Sequence, residues 1–505
     1  MKGVVGDRNL LHYQMHELAT DNKQCSIMTS SSGTSLPHIG WLSQLNYAVY
    51  QPLNVPGHSA MHTVFPTGTT IYHPEKCFNG LTIYPSKKEG VGAVLIDMNG
   101  SELRTWPKFT NFMVNLMPGG HILGGQTGRV TQHYDHLYGA DDLIQENWDG
   151  EVEWSFNKAN EMEYAGKKHW VARQNHDVVR EGCPVGYYVP GQEPKVEGGK
   201  TLFLSYRTGE WPEITRDFLP RATRMIEVTW EGEIVWDWMP AENFEQFGWS
   251  DEAKNAIMRR CRNQNGVFQN TCSYVGPNKW YDAGDERFHP DNIITDDRAT
   301  MIYIISKKTG DIIWQVGPYY DRDPALKKLE CIIGPHHAHM IPQGLPGAGN
   351  IMVFDNGGAA GYGAPNPGAP DGTWNSLRDH SRVLELDPLT LEVVWQFTAL
   401  DQGFWEGEES RFYSRYESGA QRLPNGNTLI TESRHGRIIE VTPECEIVWE
   451  YISPHNLLGR EDLFFSDVFR GYRVPYDWVP QVEPSSERAV IPPPNGEFRI
   501  SPANA

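Results

Sequence analysis

The chain has 505 residues, 39% of them hydrophobic, with 17 Trp, 22 Tyr and 19 Phe, enough apolar and aromatic material for a large buried core. Its formal charge is −20, from 64 acidic and 44 basic residues, and no run of Lys or Arg exceeds a pair, which argues against nucleic acid and anionic membrane as partners. Seven Cys are scattered without a CxxC pair, so disulfide-framework, zinc-ribbon and dithiol-redox classes are excluded.

Residues 1–58, with a Ser-rich run at 29–35, read as an N-terminal leader, partly disordered. The first 40 residues lack the apolar run of a secretory signal, and no stretch approaches the ~20 apolar residues of a spanning helix. The expectation is a cytoplasmic protein as the sequence is written, periplasmic or secreted if the true start lies elsewhere.

From 59 to 470 one phrase recurs. The segments LIDMNGSELRTW, IQENWDGEVEW, IEVTWEGEIVW, YIISKKTGDIIW, LELDPLTLEVVW and IEVTPECEIVW end at Trp106, Trp154, Trp236, Trp314, Trp395 and Trp449. Each is an alternating apolar strand, a polar turn and a second strand closed by Trp, the pattern of a tight hairpin. A further strand with a Gly or Asn turn precedes each hairpin, as in MPGGHIL at 117–123 and GNTLITE at 426–432. Six such units predict an all-β, six-bladed β-propeller, a wheel of small antiparallel sheets. The intervals between Trp residues are 48, 82, 78, 81 and 54, so the blades carry inserted loops of unequal size. The largest insertion spans 239–290, with a short helix predicted at 251–262, and 471–505 reads as a Pro-rich C-terminal tail.

In a propeller the inner strands converge on a hub, so residues at one repeat position become spatial neighbours. Pro424 lies six residues after Ser418; the same count places Pro342 after His336 and the turn residue Gly182 after His176. His176 and His336 are therefore expected to face the hub together, with His337 competing for the place of its neighbour. On a strand His337 and His339 share one face and His336 takes the other, so the His-rich run is not expected to hold a transition metal. Arg298 and Arg434 occupy the bend after a hub strand, where a guanidinium suits a sulfate, phosphate or carboxylate, and His435 adjoins Arg434. No GxGxxG, Walker or GxSxG element is present, and no cofactor is expected.

The phrases PTGTTIYHPEKCFNGLTIYP (66–85), LIDMNGSELRTWP (95–107), GNIMVFDNG (349–357) and QRLPNGNTLI (421–430) resemble the arylsulfate sulfotransferase family, in blade order. The resemblance implies a six-bladed propeller that moves a sulfuryl group from a phenolic sulfate ester to a phenol, without a nucleotide donor, through a sulfohistidine. It implies that His336 or His337 is the nucleophile, that His176 is a second channel histidine, and that Asn270 and Arg298 contact the substrate, to which Arg434 and His435 are added as candidates by their place at the bend. The family's His-x-Asn-Ser phrase aligns with Phe268-Gln269-Asn270-Thr271, so a sulfuryl-contacting imidazole is replaced by Phe268. Two other readings of the same hub are a propeller lyase acting on uronate polysaccharides and a binding module without catalysis.

Overall fold

In this computed structural model the outer-strand tryptophans show why the phrase repeats. Trp154 Nε1 donates to the carbonyl of Trp230 (2.7 Å), Trp236 to Lys307 (3.1 Å), Trp314 to Pro388 (2.9 Å), Trp395 to Pro443 (2.9 Å) and Trp449 to Met98 (2.7 Å). Every acceptor sits in the hairpin turn of the next sheet, so each tryptophan ties one sheet to its neighbour while burying its ring. Trp106 is the exception: its Nε1 has no partner, and the corresponding carbonyl, that of Trp148, is taken by Arg104.

The structure describes residues 67–492 apart from 87, 89, 110–112, 127–141, 158–159, 165–166, 172–174, 213, 215–218, 262–266, 456–467 and 484–485. The leader predicted at 1–58 lies outside the described residues. Six antiparallel sheets of four or five strands make a six-bladed propeller. Its inner strands are Tyr472–Val474, Val114–Met117, Asn175–Arg180, Gln269–Tyr274, His336–Met340 and Gly419–Arg422, for blades one to six. Second, third and outer strands follow in order within each blade.

The ring closes twice. Gly68–Tyr72 adds a fifth strand outside Ile447–Ile452 of blade six, and Tyr472–Val474 pairs with Leu81–Pro85 as the inner strand of blade one. The propeller therefore runs past residue 470, into what the sequence presents as tail, and Val490 bridges back to Tyr72. The segment 239–290 is likewise not one insertion, because it contains the inner strand of blade four. Its helix, α1 (Asp251–Cys261), packs on the small hairpin Ala360–Tyr362 and Thr373–Ser376.

The hub is floored by the segment after Arg180. Pro184 O accepts the Tyr274 N–H of blade four, Gln192 Nε2 donates to Gln343 O in the loop after the inner strand of blade five, and Tyr188 meets Trp478 edge-on at 5.0 Å. Gly186 approaches Asn115 of blade two so closely that a Cβ there would lie 2.9 Å from its amide atoms. The hub histidines lie at the other end, where the inner strands begin.

Candidate active site

Three inner strands carry a bulge near their start. Register shifts fall between Asn175 and Val178, Gln269 and Thr271, and His336 and His339. His176 (φ 44°) and His337 (φ 58°) adopt the left-handed backbone inside their bulges, as does Ser418 (φ 80°) at the start of the inner strand of blade six. The repeat thus equates His176 with His337, not with His336; a count along the sequence cannot register the extra bulged residue.

At this end side chains stitch blade to blade. Asp177 accepts the N–H of Cys272 (3.2 Å), Asp296 that of Ala338 (2.7 Å), His337 Nδ1 that of Ala420 (3.2 Å) and Thr431 Oγ1 that of Gly471 (2.9 Å). The chain of bonds runs from blade three round to blade one. Buried backbone donors require such partners, and this fixes which polar side chains point inward.

Both central histidines are held in one tautomer. His336 Nε2 accepts the Glu417 N–H (3.1 Å), so in the neutral ring the proton is on Nδ1, which donates to Asn356 Oδ1 (2.8 Å). Asn356 cannot turn, because its Nδ2 donates to the carbonyls of Ser414 (2.7 Å) and Glu417 (2.9 Å). His337 accepts at Nδ1 and faces the Tyr472 hydroxyl through Nε2 at 3.1 Å. His339 lies beneath it, with ring centroids 4.4 Å apart, and bonds Tyr187 (2.9 Å) and its own neighbour's carbonyl (2.8 Å).

Burial drives these imidazoles to the neutral form. It pushes His336 down to about 3, with the Arg298 and Arg470 charges helping and Asn356 opposing; His337 also falls well below the ordinary value, and His339 falls to about 4. The buried carboxyls move the other way: Asp177 is raised to about 6 and Asp296 to about 7 by burial, partly offset by hydrogen bonds and by Arg470. Asp297 is raised well above the ordinary carboxyl by burial. The repeat explains it. Asp355 and Glu432, at the same position of blades five and six, face Arg382 and Arg437 on the next strand, whereas Asp297 faces Met301.

Arg470 is the hub residue that sequence reasoning missed. It is fully buried, Nη1 donates to the Tyr472 hydroxyl (3.0 Å) and lies 3.6 Å from Asp177, and Nη2 has no hydrogen-bond partner. Its charge acts on His336, His337 and His339 alike. The sequence signal was its place two residues before the short strand Tyr472–Val474, which Pro475 behind it disguises as tail.

His176 stands edge-on to Phe268 (centroids 4.8 Å) and to Phe469 (5.9 Å), a buried ring beside an apolar wall. Asn270 donates to Pro335 O (2.8 Å) and keeps a buried Oδ1 without a partner. Arg298 is half-buried at the bend of blade four, and its charge reaches His336. Arg434 lies over Tyr416 at 4.7 Å, and His435 is held by Glu432 at 2.8 Å. His289, the other imidazole near Phe268 in sequence, belongs to the opposite end of the wheel, against Tyr281. The bulges and the blade order therefore gather His176, Asn270, His336, His337 and Arg298 at one end of the hub.

A model of the arylsulfotransferase family, described as "Arylsulfotransferase (ASST)", matches residues 226–454, just under half of the chain, from blade three through blade six. This match supports the family that the sequence motifs suggest. No curated protein matches the chain in sequence. Among solved structures, a protein of unknown function from Bacteroides caccae is 11% identical, with 78% of this chain and 99% of that one covered at a TM-score of 0.41. AztD from Citrobacter koseri is 9% identical (79% and 98% covered, TM-score 0.35), and virginiamycin B lyase from Staphylococcus aureus is 11% identical (79% and 88% covered, TM-score 0.33). Among the described residues no helix is long and apolar enough to cross a membrane.

Proposed function

We propose that this arylsulfotransferase-like propeller transfers a sulfuryl group from a phenolic sulfate ester to a phenol, with His336 as nucleophile. The observation that carries the reading is a neutral imidazole whose tautomer is fixed by Asn356, set within reach of the charges of Arg298 and Arg470. A neutral ring with a lone pair on Nε2 is the form that attacks sulfur, and guanidinium groups stabilise sulfuryl oxygens as charge shifts among them. Nε2 attacks, the bond from sulfur to the aryl oxygen breaks, and the phenolate leaves. The acceptor phenol then attacks sulfur, the N–S bond breaks, and the phenolic proton passes to His176.

For attack, the Glu417 N–H must give up its 3.1 Å bond to Nε2. Glu417 and Ser418 both have left-handed backbone, φ 63° and 80°, a conformation costly for residues with side chains, so this peptide is the place where the site can open. Arg470 supplies a cation to a hub from which Phe268 has removed an imidazole. Asn270 Oδ1, buried and unpartnered, is available to a donor on the substrate.

The test is intact-mass measurement after incubation with a chromogenic aryl sulfate, with and without added phenol. Mass gain by one sulfuryl group in the protein and in His337→Ala, but not in His336→Ala, supports the reading. Label retained in His336→Ala and lost in His337→Ala moves the nucleophile to the bulge position. Absence of any label and of any phenol-dependent product overturns sulfotransfer.

A further inference from the structure

Two of the repeat tryptophans share one buried arrangement, and a third keeps only half of it. Opposite Trp395 stands Glu385, and opposite Trp449 stands Glu440. Each carboxylate binds an arginine from the inner strand of the next blade, which also lies over that tryptophan: Glu385 with Arg422, 5.4 Å from the Trp395 centroid, and Glu440 with Arg473 (3.1 Å), 4.5 Å from that of Trp449. Between blades two and three the arginine is Arg180, 4.7 Å from Trp154, and the residue opposite Trp154 is Gln145. The cation is kept and the carboxylate is an amide.

Gln145 does not make up the loss. Its Nε2 donates to Glu153 (2.9 Å) and to Val196 O (2.8 Å), and its Oε1 is buried without a partner. Arg180 is 2% exposed, and Nε, Nη1 and Nη2 are all buried without a hydrogen-bond partner. Trp230 stands 4.9 Å from it as well, and because the two indole centroids are 6.1 Å apart the guanidinium lies beside the pair of rings and not between them. The indoles stabilise the charge but do not take up the N–H groups as a carboxylate would. Arginine keeps its proton even when buried, so the missing acceptor must come from outside the chain. Beside it lies a cavity lined by Asn115, Arg180, Gly186, Tyr187, Pro194 and Trp478, with room for about one water-sized body.

We propose that Arg180 holds a chloride ion at the position where Glu385 and Glu440 serve Arg422 and Arg473. The space is about one water in size and too small for sulfate, which separates this site from the sulfuryl chemistry at the other end of the hub; a chloride enters it by a small outward shift of the lining side chains. The ion is a structural counter-charge that seals blade two to blade three.

The test is thermal unfolding in sodium chloride or bromide against sodium gluconate at equal ionic strength. The wild type gains a saturable rise in Tm of roughly 2–4 °C in halide. Gln145→Glu restores the ion pair of the other blades and loses the halide response, with a Tm in gluconate at least equal to that of the wild type. Arg180→Met, if it folds, also loses the response, and a bromide-soaked crystal gives an anomalous peak beside the guanidinium. Equal wild-type Tm in halide and gluconate, or a halide response undiminished in Gln145→Glu, overturns the proposal.

Discussion

Asp296 gives the hub a measurable pH signature. Its Oδ2 accepts from Thr271 (2.5 Å) and from the Ala338 N–H (2.7 Å), while Oδ1 is buried without a partner, and burial raises its pKa from 3.8 to about 7. In the unfolded chain the carboxyl loses its proton near 3.8; in the folded chain it keeps it to about 7. Between those values the folded state binds more protons, so stability falls as pH rises, by about 1.4 kcal/mol per pH unit at the steepest and about 4 kcal/mol in all. The contribution is flat below and above that window. Asp296→Asn retains an acceptor for Thr271 and Ala338 and puts an NH₂ where the protein offers nothing, at a pH-independent cost of about 1–3 kcal/mol. Urea unfolding of both proteins at pH 5, 6, 7 and 8 should show the variant gaining on the wild type by about 2–3 kcal/mol between pH 5 and 7, then levelling. Parallel profiles across the window would refute the assignment of a protonated Asp296.

Trp314→Phe orphans the Pro388 carbonyl and should cost about 2–3 kcal/mol, whereas Trp106→Phe removes an N–H without a partner and should cost about 1 kcal/mol or less; urea midpoints compare the two. Arg470→Met should lower kcat/KM for an aryl sulfate about 10²–10³-fold, with partial recovery in Arg470→Lys, while the far-ultraviolet circular dichroism of the lysine variant stays that of the wild type. With His336 held near 3, kcat/KM should show no loss on the acid side between pH 7 and 5 from protonation of the nucleophile; a limb at the ordinary histidine value that persists in His176→Asn would contradict this. Truncation after Gly471 removes the inner strand of blade one and should give an aggregating protein by size-exclusion chromatography.

The wheel was legible because its ties are chemical and local. In five of the six blades the outer-strand tryptophan reaches a turn carbonyl in the next blade, so the hairpin phrase repeats in the sequence. The inner strands obey a weaker rule. Facing the hub, they are polar, so QNTCSY (269–274) reads as part of an insertion and the three residues of Tyr472–Val474, with Pro475 behind them, read as tail. Closure by the two ends is non-local, and nothing in a single segment announces its partner some 390 residues away, as Thr82 is from Arg473. The hub histidines were found by repeat position and by resemblance, but bulges defeat counting at one residue. Arg470, Asn356 and Asp296 escaped because their roles depend on atoms from other blades.

The same repeat is more informative where it fails. Blades five and six keep their buried pairs: Asp355 with Arg382, Glu385 with Arg422, Glu432 with Arg437, Glu440 with Arg473. Going round the wheel, Gln145 leaves Arg180 without its carboxylate, Phe268 stands beside His176, and Met301 leaves Asp297 without its arginine. A buried charge stripped of its partner is costly, and a fold that keeps one must neutralise it by a proton or by a ligand. Asp297 takes the first course, since burial raises its pKa well above that of an ordinary carboxyl. Arg180 has no such option, because a guanidinium does not give up its proton, and the second course remains. All three departures fall in blades two to four, whereas blades five and six keep every one of these pairs and so hold His336 in a fully paired frame.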